Sequence, residues 1–215
     1  MTHDTKERAR SAIGDGPRLP PKRVADLDDD ARAVLRGYLK GAADRFLSEG
    51  PAAQRMPNVL ATLIHHPKLA GPWLAYNATL LGSPSIEPRL RELMILRVAW
   101  RARSRYEWLQ HVRLAKQLGV TATEIEAVAG LTSAASWTPL EAALLAATDQ
   151  LMDGYTIDDA TWARLAEHLD ERQRVEVVFV VGSYACLAMA FNSFGIELDP
   201  DLHDIDAPGW TDVAR

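Results

Sequence analysis

An all-α, multi-helix bundle is the fold that the sequence predicts, and three observations support it. Apolar residues recur with the helical period of about 3.6 in nearly every segment after residue 26. Residues that start and stop helices separate these segments, as at Gly50, Pro51 and Gly119. The sequence has no run of alternating β-branched residues bounded by hairpin turns. Helices joined by such short connections are typical of a bundle.

About nine helices are predicted, each from its apolar period and from the residues at its ends. They cover residues 28–49, 59–64, 69–81, 88–100, 104–118, 121–129, 138–152, 158–169 and 170–194. Pro88 fits the first turn of its helix, because the N–H that proline lacks would have no helical partner there. Asp158 is placed to cap the helix that follows it.

Three pairs of residues have the spacing of N-terminal caps. In each pair a Thr or Asp precedes a Glu or Gln by three residues. Each side chain can then accept a hydrogen bond from the backbone N–H of the other residue. The pairs are Thr121 with Glu124, Thr138 with Glu141, and Asp170 with Gln173.

Domain organisation follows from composition along the chain. Residues 1–26 are polar and contain several glycines and prolines, which predicts a flexible N-terminal arm. Residues 27–215 are predicted to form a single all-helical domain with its core motif at 85–130. A chain of 215 residues is long enough to bury roughly 70% of its unfolded surface.

Charge and hydropathy limit the partners and the compartment. The net charge is −5, which argues against a nucleic-acid partner. The N-terminal stretch has no apolar core and is therefore not read as a secretory signal. The longest apolar run, 177–191, is shorter than the roughly 18 residues of a membrane span. We therefore expect a cytoplasmic protein without a membrane partner.

The chain has one cysteine, Cys186. It has no partner for an internal disulfide, which favours a reducing compartment. Because Cys186 lies within the apolar run, we predict an inert core residue rather than a nucleophile.

The chemistry is predicted to lie on one helix face. Ser104, Glu107 and His111 have the spacing i, i+3, i+7, which stacks them on one side of a helix. A carboxylate four residues before a histidine can accept its ring N–H and raise its basicity. Glu92 on the preceding helix would complete a proton relay, which suits general acid–base work on a carbon acid or an ester.

Spacing alone leaves two other interpretations of Glu107 and His111 open. They also fit a solvated i, i+4 pair on an exposed helix, which would contribute only a few tenths of a kcal/mol. A histidine and a glutamate at this spacing can also share a metal ion, but the sequence offers no evident third or fourth ligand. We predict neither a metal nor a cofactor.

The stretch RLRELMILRVAWRARSRYEWLQHVRLAKQLGVTATEIEAV (89–128) resembles the core motif of the carboxymuconolactone decarboxylase and alkylhydroperoxidase D superfamily. Residues 140–199 are similar to the second half of many bacterial members, and the resemblance covers about residues 55–200. The most specific elements are Arg-Glu-Leu-x-Ile-Leu-Arg and Tyr-Glu-Trp-x-x-His. The resemblance implies the all-α fold of that superfamily.

The resemblance also implies roles for individual residues. In the peroxidase branch the motif is a glutamate, eleven residues, and then Cys-x-x-Cys-x-x-x-His. Glu92 and His111 fall on the glutamate and the histidine, whereas Ser104 and Glu107 stand at the two cysteine positions. These side chains cannot form or resolve a mixed disulfide, so thiol peroxidase chemistry is excluded. The decarboxylase branch, which also lacks the cysteines, implies cofactor-free proton transfer, with Glu92, Glu107 and His111 lining a pocket.

Further side chains are candidates for substrate contact. Tyr106 and Ser104 are expected to position the substrate, and Trp108 to form a wall of the pocket. More distant candidates are His65, His66, Trp73 and Asn192. Each also has a purely structural interpretation: the histidines as charges at a helix end, the tryptophan as core or interface, and the asparagine as a cap.

The predicted function is a cofactor-independent enzyme acting on a small organic acid, lactone or aromatic metabolite, with decarboxylation as the nearest example in the superfamily. A non-catalytic binding or assembly module on the same fold is the alternative. A 47% hydrophobic content, six tryptophans and the superfamily's dimers, trimers and hexamers predict a homo-oligomer.

Overall fold

A computed structural model describes residues 16–48, 53–82 and 84–210, and within these ranges the chain contains helices and no β-strand. The predicted all-α fold is confirmed. The described α-helices are α1 (Asp29–Leu39), α2 (Gly41–Leu47), α3 (Asn58–Leu63), α4 (Pro67–Gly82), α5 (Pro88–Arg101), α6 (Arg105–Gln117), α7 (Ala122–Val128), α8 (Pro139–Gly154), α9 (Asp159–Ala166) and α10 (Glu171–Phe194). Short 3-10 helices occur at Val24–Asp26 and Pro200–Leu202.

The predicted helix starts are confirmed at their caps. Both Thr-Glu pairs form complete capping boxes at α7 and α8. The Asp158 side chain accepts the Thr161 N–H at the start of α9. At α10 the N–H of Gln173 donates to the Asp170 carboxylate at 2.8 Å, and the N–H of Asp170 donates back to the Gln173 side chain. Each cap satisfies backbone donors that the first helical turn leaves without partners.

The single helix predicted over residues 28–49 is wrong, because the chain forms α1 and α2 instead. Lys40 separates them with φ 49° and ψ −130°, a conformation that breaks the helical hydrogen-bond ladder. Residues with a Cβ seldom adopt a positive φ, so a lysine gave no warning of this break. The predicted end at Glu49, with Gly50 and Pro51, lies outside the described residues.

The chain divides into two compact units. The first comprises the described residues up to Tyr76 together with Phe191–Asp199. Its Asp199 carboxylate accepts the backbone N–H of Asn58 at 2.9 Å and also pairs with Arg55. The core of this unit is small and apolar. It contains Leu27, Ala31, Leu35, Ala43, Met56, Ala61, Ile64 and Ala70.

The predicted N-terminal arm is described only from residue 16 onward. Within the first unit, the N–H of Leu19 donates to the carbonyl of Phe194, and the N–H of Lys22 donates to that of Ala61 at 2.9 Å. Residues 1–15 of the arm lie outside the described residues.

The second unit comprises Asn77–Ala190 and the described residues from Pro200 onward, and α5 is its central helix. Residues Leu93–Leu96, Val98 and Ala99 of α5 are fully buried, and α5 packs most extensively against α6 and α8. A tight turn joins α5 to α6: Arg103 has φ 55°, and the N–H of Ser104 donates to the carbonyl of Ala99 at 2.9 Å. This turn folds the two site-bearing helices back on each other.

Arg89 ties the two capping boxes of the second unit together. Its guanidinium pairs with the Glu124 carboxylate at the start of α7 and with the Glu141 carboxylate at the start of α8. Each of these carboxylates also accepts the N–H of its own capping threonine. A single side chain of α5 thus holds the N-termini of two neighbouring helices.

Helix α10 is more exposed than its composition predicts. Cys186 is exposed, so its assignment to the core is wrong. The same helix exposes Val175, Val178 and Met189. The apolar residues of this helix lie on all of its faces, so the sequence could not identify which face points inward. By length and composition its 24 residues could cross a membrane, contrary to the estimate from residues 177–191 alone, although a core helix of a soluble protein meets the same criterion.

Candidate active site

Glu92 of α5 and His111 of α6 form the centre of the candidate site. Oε2 of Glu92 lies 2.6 Å from Nδ1 of His111, and both residues are buried. Since a carboxylate can only accept, Nδ1 carries the proton and donates it. The turn between α5 and α6 sets the two helices side by side and so brings these two side chains into contact.

Arg91 engages the other oxygen of the same carboxylate. Its Nη2 lies 3.3 Å from Oε1 of Glu92, and its Nη1 lies 3.4 Å from the carbonyl oxygen of Leu80. Burial raises the pKa of Glu92, but the His111 ring and then the Arg91 guanidinium lower it by more, so the pKa lies below its ordinary value. Glu92 is therefore a buried carboxylate that keeps its negative charge.

Glu107 differs from Glu92 although it is equally buried. Among the described residues, neither of its carboxyl oxygens has a hydrogen-bond partner. Burial raises the pKa of Glu107 well above its ordinary value. An unpaired buried carboxyl favours its neutral, protonated form, since no nearby group compensates for the lost hydration.

The predicted pairing of Glu107 with His111 is therefore wrong, and Glu92 takes that position. A spacing of four residues places two side chains on one helix face, but it does not fix which partner an imidazole selects. The glutamate of the neighbouring helix reaches Nδ1, and the one on the same helix does not. The solvated-pair interpretation is also wrong, because Glu107 is only 1% exposed and His111 only 8%.

Ser104 and Tyr106 lie at the start of α6. Ser104 is fully buried, and its hydroxyl has no hydrogen-bond partner in the part of the chain that the structure describes. It occupies the N-cap position of α6 without capping it through its side chain. The buried Tyr106 hydroxyl accepts a bond from Nε2 of Gln110 at 3.2 Å. The Ser104 hydroxyl thus has unused hydrogen-bonding capacity, whereas Tyr106 already has an intrahelical contact.

Trp108 belongs to a cluster of three tryptophans. Its ring centroid lies 5.2 Å from that of Trp100 and 6.5 Å from that of Trp210. Trp108 is fully buried, and within the described ranges its Nε1–H has no acceptor. A buried indole usually has an acceptor for its N–H.

Sequence reasoning missed Tyr184, which contributes to the site from α10. Its ring centroid lies 4.9 Å from that of His111, with the two planes at 90°. Tyr184 is buried and 73 positions away from His111 in the sequence, within an apolar helix. No spacing rule connects residues this far apart, so the sequence carried no signal for the contact.

The remaining predicted contacts belong to the first unit and stay predictions. They are His65, His66, Trp73 and Asn192. Nε2 of His65 donates to the carbonyl oxygen of Pro20 at 2.9 Å, and both histidines are exposed. That hydrogen bond agrees with a structural role for His65.

Candidate metal ligands do not cluster in the described ranges: no group of three or more His, Cys, Asp or Glu side chains is placed to hold an ion there.

Residues 67–150 match the model of the Carboxymuconolactone decarboxylase family. The matched range contains Glu92, Ser104, Glu107 and His111. Over this range the chain is similar to that family.

Several solved structures share this fold. The alkylhydroperoxidase AhpD core of an uncharacterized peroxidase-related protein from Ralstonia eutropha JMP134 has a TM-score of 0.68 at 18% identity, over 86% of this chain and 94% of that one. An uncharacterized peroxidase-related protein from Silicibacter sp. TM1040 has a TM-score of 0.69 at 15% identity, over 90% and 98% of the two chains. At these identities the likeness shows the fold alone.

A third structure with this fold is an enzyme with a ligand. It is a cysteine-to-alanine variant of the debrominase Bmp8 in complex with 2,3,4-tribromopyrrole, with a TM-score of 0.66 at 14% identity over 88% of this chain and 96% of that one. Proteins of this fold therefore include catalysts. Among curated proteins, no sequence matches this chain significantly.

Proposed function

We propose that the protein is a cofactor-independent enzyme that performs general acid–base catalysis on a small organic acid, lactone or aromatic metabolite. The observation that carries the proposal is the 2.6 Å hydrogen bond between buried Glu92 and His111. A second buried carboxyl, Glu107, shares the helix face of His111 and has no partner among the described residues. Buried ionisable groups with opposite pKa displacements are typical of acid–base sites.

His111 acts as the general base through Nε2. Because Glu92 accepts the proton of Nδ1, the neutral ring presents its lone pair at Nε2. When Nε2 takes a proton from the substrate, the ring becomes positive and the charge of Glu92 stabilises it. Glu92 is thus a positioning residue whose carboxylate fixes the tautomer and offsets the developing charge.

Glu107 serves as the neutral acid of the site, which donates a hydrogen bond to the substrate. Its environment favours the protonated carboxyl, while that of Glu92 favours the carboxylate. This division gives one site both an acid and a base near neutral pH. Ser104 and Tyr106, at the start of the same helix, are assigned to substrate positioning.

Small cyclic compounds are the proposed substrate class, and decarboxylation by a lyase is the nearest reaction in the family. The tribromopyrrole bound by a protein of the same fold supports a small ring as ligand. Serine and glutamate at the positions of the cysteine pair leave no thiol cycle, so we do not assign peroxidase activity. A cytoplasmic homo-oligomer without nucleic-acid or membrane partners is part of the same proposal.

The test is turnover on a panel of lactones, keto acids and substituted aromatic acids. His111→Ala should lower kcat/KM by about 10²–10⁴-fold, or about 3–5 kcal/mol of transition-state stabilisation. His168→Ala is the matched control, because His168 is exposed on the same unit. If folded His111→Ala turns over within about twofold of the parent protein, the base is misassigned. Binding without turnover would favour the binding module instead.

A further inference from the structure

Tyr184 brings its phenol ring from α10 to the acid–base site of α5 and α6. Its ring meets the His111 imidazole edge to face, with centroids 4.9 Å apart. Burial raises the pKa of Tyr184, and the carboxyl groups of Glu92 and then Glu107 raise it further. The phenol therefore keeps its proton and is a hydrogen-bond donor beside the proposed base.

Glu107 is the second candidate donor, on the helix face that carries His111. It lies one helical turn before His111, it is 1% exposed, and no described residue bonds either of its oxygens. A buried carboxyl without partners needs an explanation, and a ligand that bonds it supplies one. In its protonated form Glu107 donates one hydrogen bond.

We infer that Tyr184 and Glu107 donate hydrogen bonds together to an oxyanion that forms on the substrate beside His111. The inference rests on the proposed function and deepens it, because it names the substrate class as carbonyl compounds that react through an enolate. A tyrosine hydroxyl beside a carboxyl group kept neutral by an apolar site is an effective pair of donors for such an oxyanion.

The proton and electron balance of this step needs no outside reagent. Nε2 of His111 removes a proton from the carbon next to the carbonyl group. The C–H electron pair becomes the enolate C=C bond, and the carbonyl π pair moves onto oxygen, where Tyr184 and Glu107 stabilise it. The imidazolium then returns its proton to a carbon of the enolate, which restores the carbonyl group and neutral His111.

Two nitrogens of the Arg91 guanidinium, the cation beside Glu92, are engaged in the described structure, while its buried Nε has no hydrogen-bond partner there. Nη2 of Arg91 donates to Glu92, and its Nη1 lies within 3.4 Å of the Leu80 carbonyl oxygen. Tyr184 and Glu107 are the neutral donors that we assign to the substrate oxygen. Neutral donors stabilise an oxyanion as it forms without binding a carboxylate substrate as tightly beforehand, which favours catalysis over ground-state binding.

The experiment measures the binding of phenols from unsubstituted phenol to 4-nitrophenol, because a phenolate reproduces the charge and geometry of an enolate oxygen. The folded parent protein should bind the ionised form in preference to the neutral one, as the visible absorbance of 4-nitrophenolate reports. Tyr184→Phe and Glu107→Leu should each weaken phenolate binding by about 10-fold or more. Glu107→Gln retains an N–H donor and should lose less. Tyr155→Phe is the matched control, since Tyr155 is 88% exposed.

The outcomes separate this inference from the proposed base. Turnover that depends on His111 while phenolate binding is unaffected by Tyr184→Phe and Glu107→Leu would overturn the donor pair alone. Failure of the parent protein to bind any ionised phenol would overturn it as well. Phenolate binding that needs both donors, with full turnover in His111→Ala, would support the donor pair and overturn the base.

Discussion

Glu92 and His111 are 19 positions apart in the sequence, yet Oε2 and Nδ1 of these residues lie 2.6 Å apart. The contact crosses from α5 to α6 and is buried at both ends. It distinguishes the two carboxyl groups of the site: Glu92 on the neighbouring helix is paired and charged, whereas Glu107 on the histidine's own helix has no partner among the described residues. Each of these states leads to a different prediction.

Glu92→Gln tests the tautomer of His111. The carboxamide keeps the size of the side chain, but its NH₂ can donate to Nδ1 and so favours the ring with its proton on Nε2. That tautomer has no lone pair for the substrate. We expect kcat to fall by about 10²–10⁴-fold, and Glu107→Gln to cost less because it retains a donor.

The control for this prediction is Glu167→Gln, a change at an exposed glutamate of the same unit. Circular dichroism checks that each variant is folded. Turnover by Glu92→Gln at the parent rate would show that the Nδ1 contact does not set the protonation of the ring.

The buried carboxyl of Glu107 leads to a prediction about how the free energy of unfolding depends on pH. The pKa of Glu107 is higher in the folded chain than the ordinary glutamate pKa of about 4.3. At pH values between these two pKa values, the folded state therefore binds more protons than the unfolded state. The free energy of unfolding therefore falls through this window as pH rises. Glu107→Leu should remove that fall and be more stable than the parent above the window.

Urea denaturation at a series of pH values measures this effect. Glu92 has the opposite sign: its lowered pKa contributes stability above the ordinary glutamate value, and that stability is lost as pH falls through the lowered value. A parent protein and a Glu107→Leu variant with parallel pH profiles would contradict the assignment of Glu107 as a buried neutral acid.

The sequence predicted the helical fold well because its evidence was local. A capping residue and its partner lie three positions apart, and the apolar period repeats within one or two helical turns. The starts of α7, α8, α9 and α10 were therefore predicted correctly. The break at Lys40 was missed because a positive φ at a lysine has no sequence signature. Cys186 was misplaced because an apolar helix does not reveal which side is covered.

The site was predicted in part for the same reason. His111, Glu107 and Ser104 share a face by helical spacing, and this face is buried. The selection of Glu92 by the imidazole depends on how α5 and α6 pack, which is a tertiary property. The contact with Tyr184 depends on α10, far along the chain, and could not be derived from spacing.

Arg89 gives a prediction about the fold rather than the site. Arg89→Met would leave the Glu124 and Glu141 carboxylates at the starts of α7 and α8 without their shared cation. Because these groups are only partly exposed, we expect a loss of about 1–3 kcal/mol in the free energy of unfolding. Arg36→Met, at an exposed arginine, is the control. Equal denaturation midpoints for the two variants would show that the Arg89 contacts contribute nothing.

The predicted homo-oligomer is tested on the exposed side of α10. Val175, Val178 and Met189 lie there at 57%, 37% and 65% exposure, an apolar side that a second copy of the chain would cover. Sedimentation velocity at micromolar concentration should give a mass above the 23.7 kDa of one chain. Met189→Asp should shift the sedimenting mass toward that of one chain, because a charge in an apolar interface loses its hydration without gaining a partner.

Leu131→Asp, at a side chain 52% exposed outside α10, is the matched control and should keep the mass of the parent. A parent protein that sediments as one chain would rule the oligomer out, and an oligomer unaffected by Met189→Asp would place its interface elsewhere.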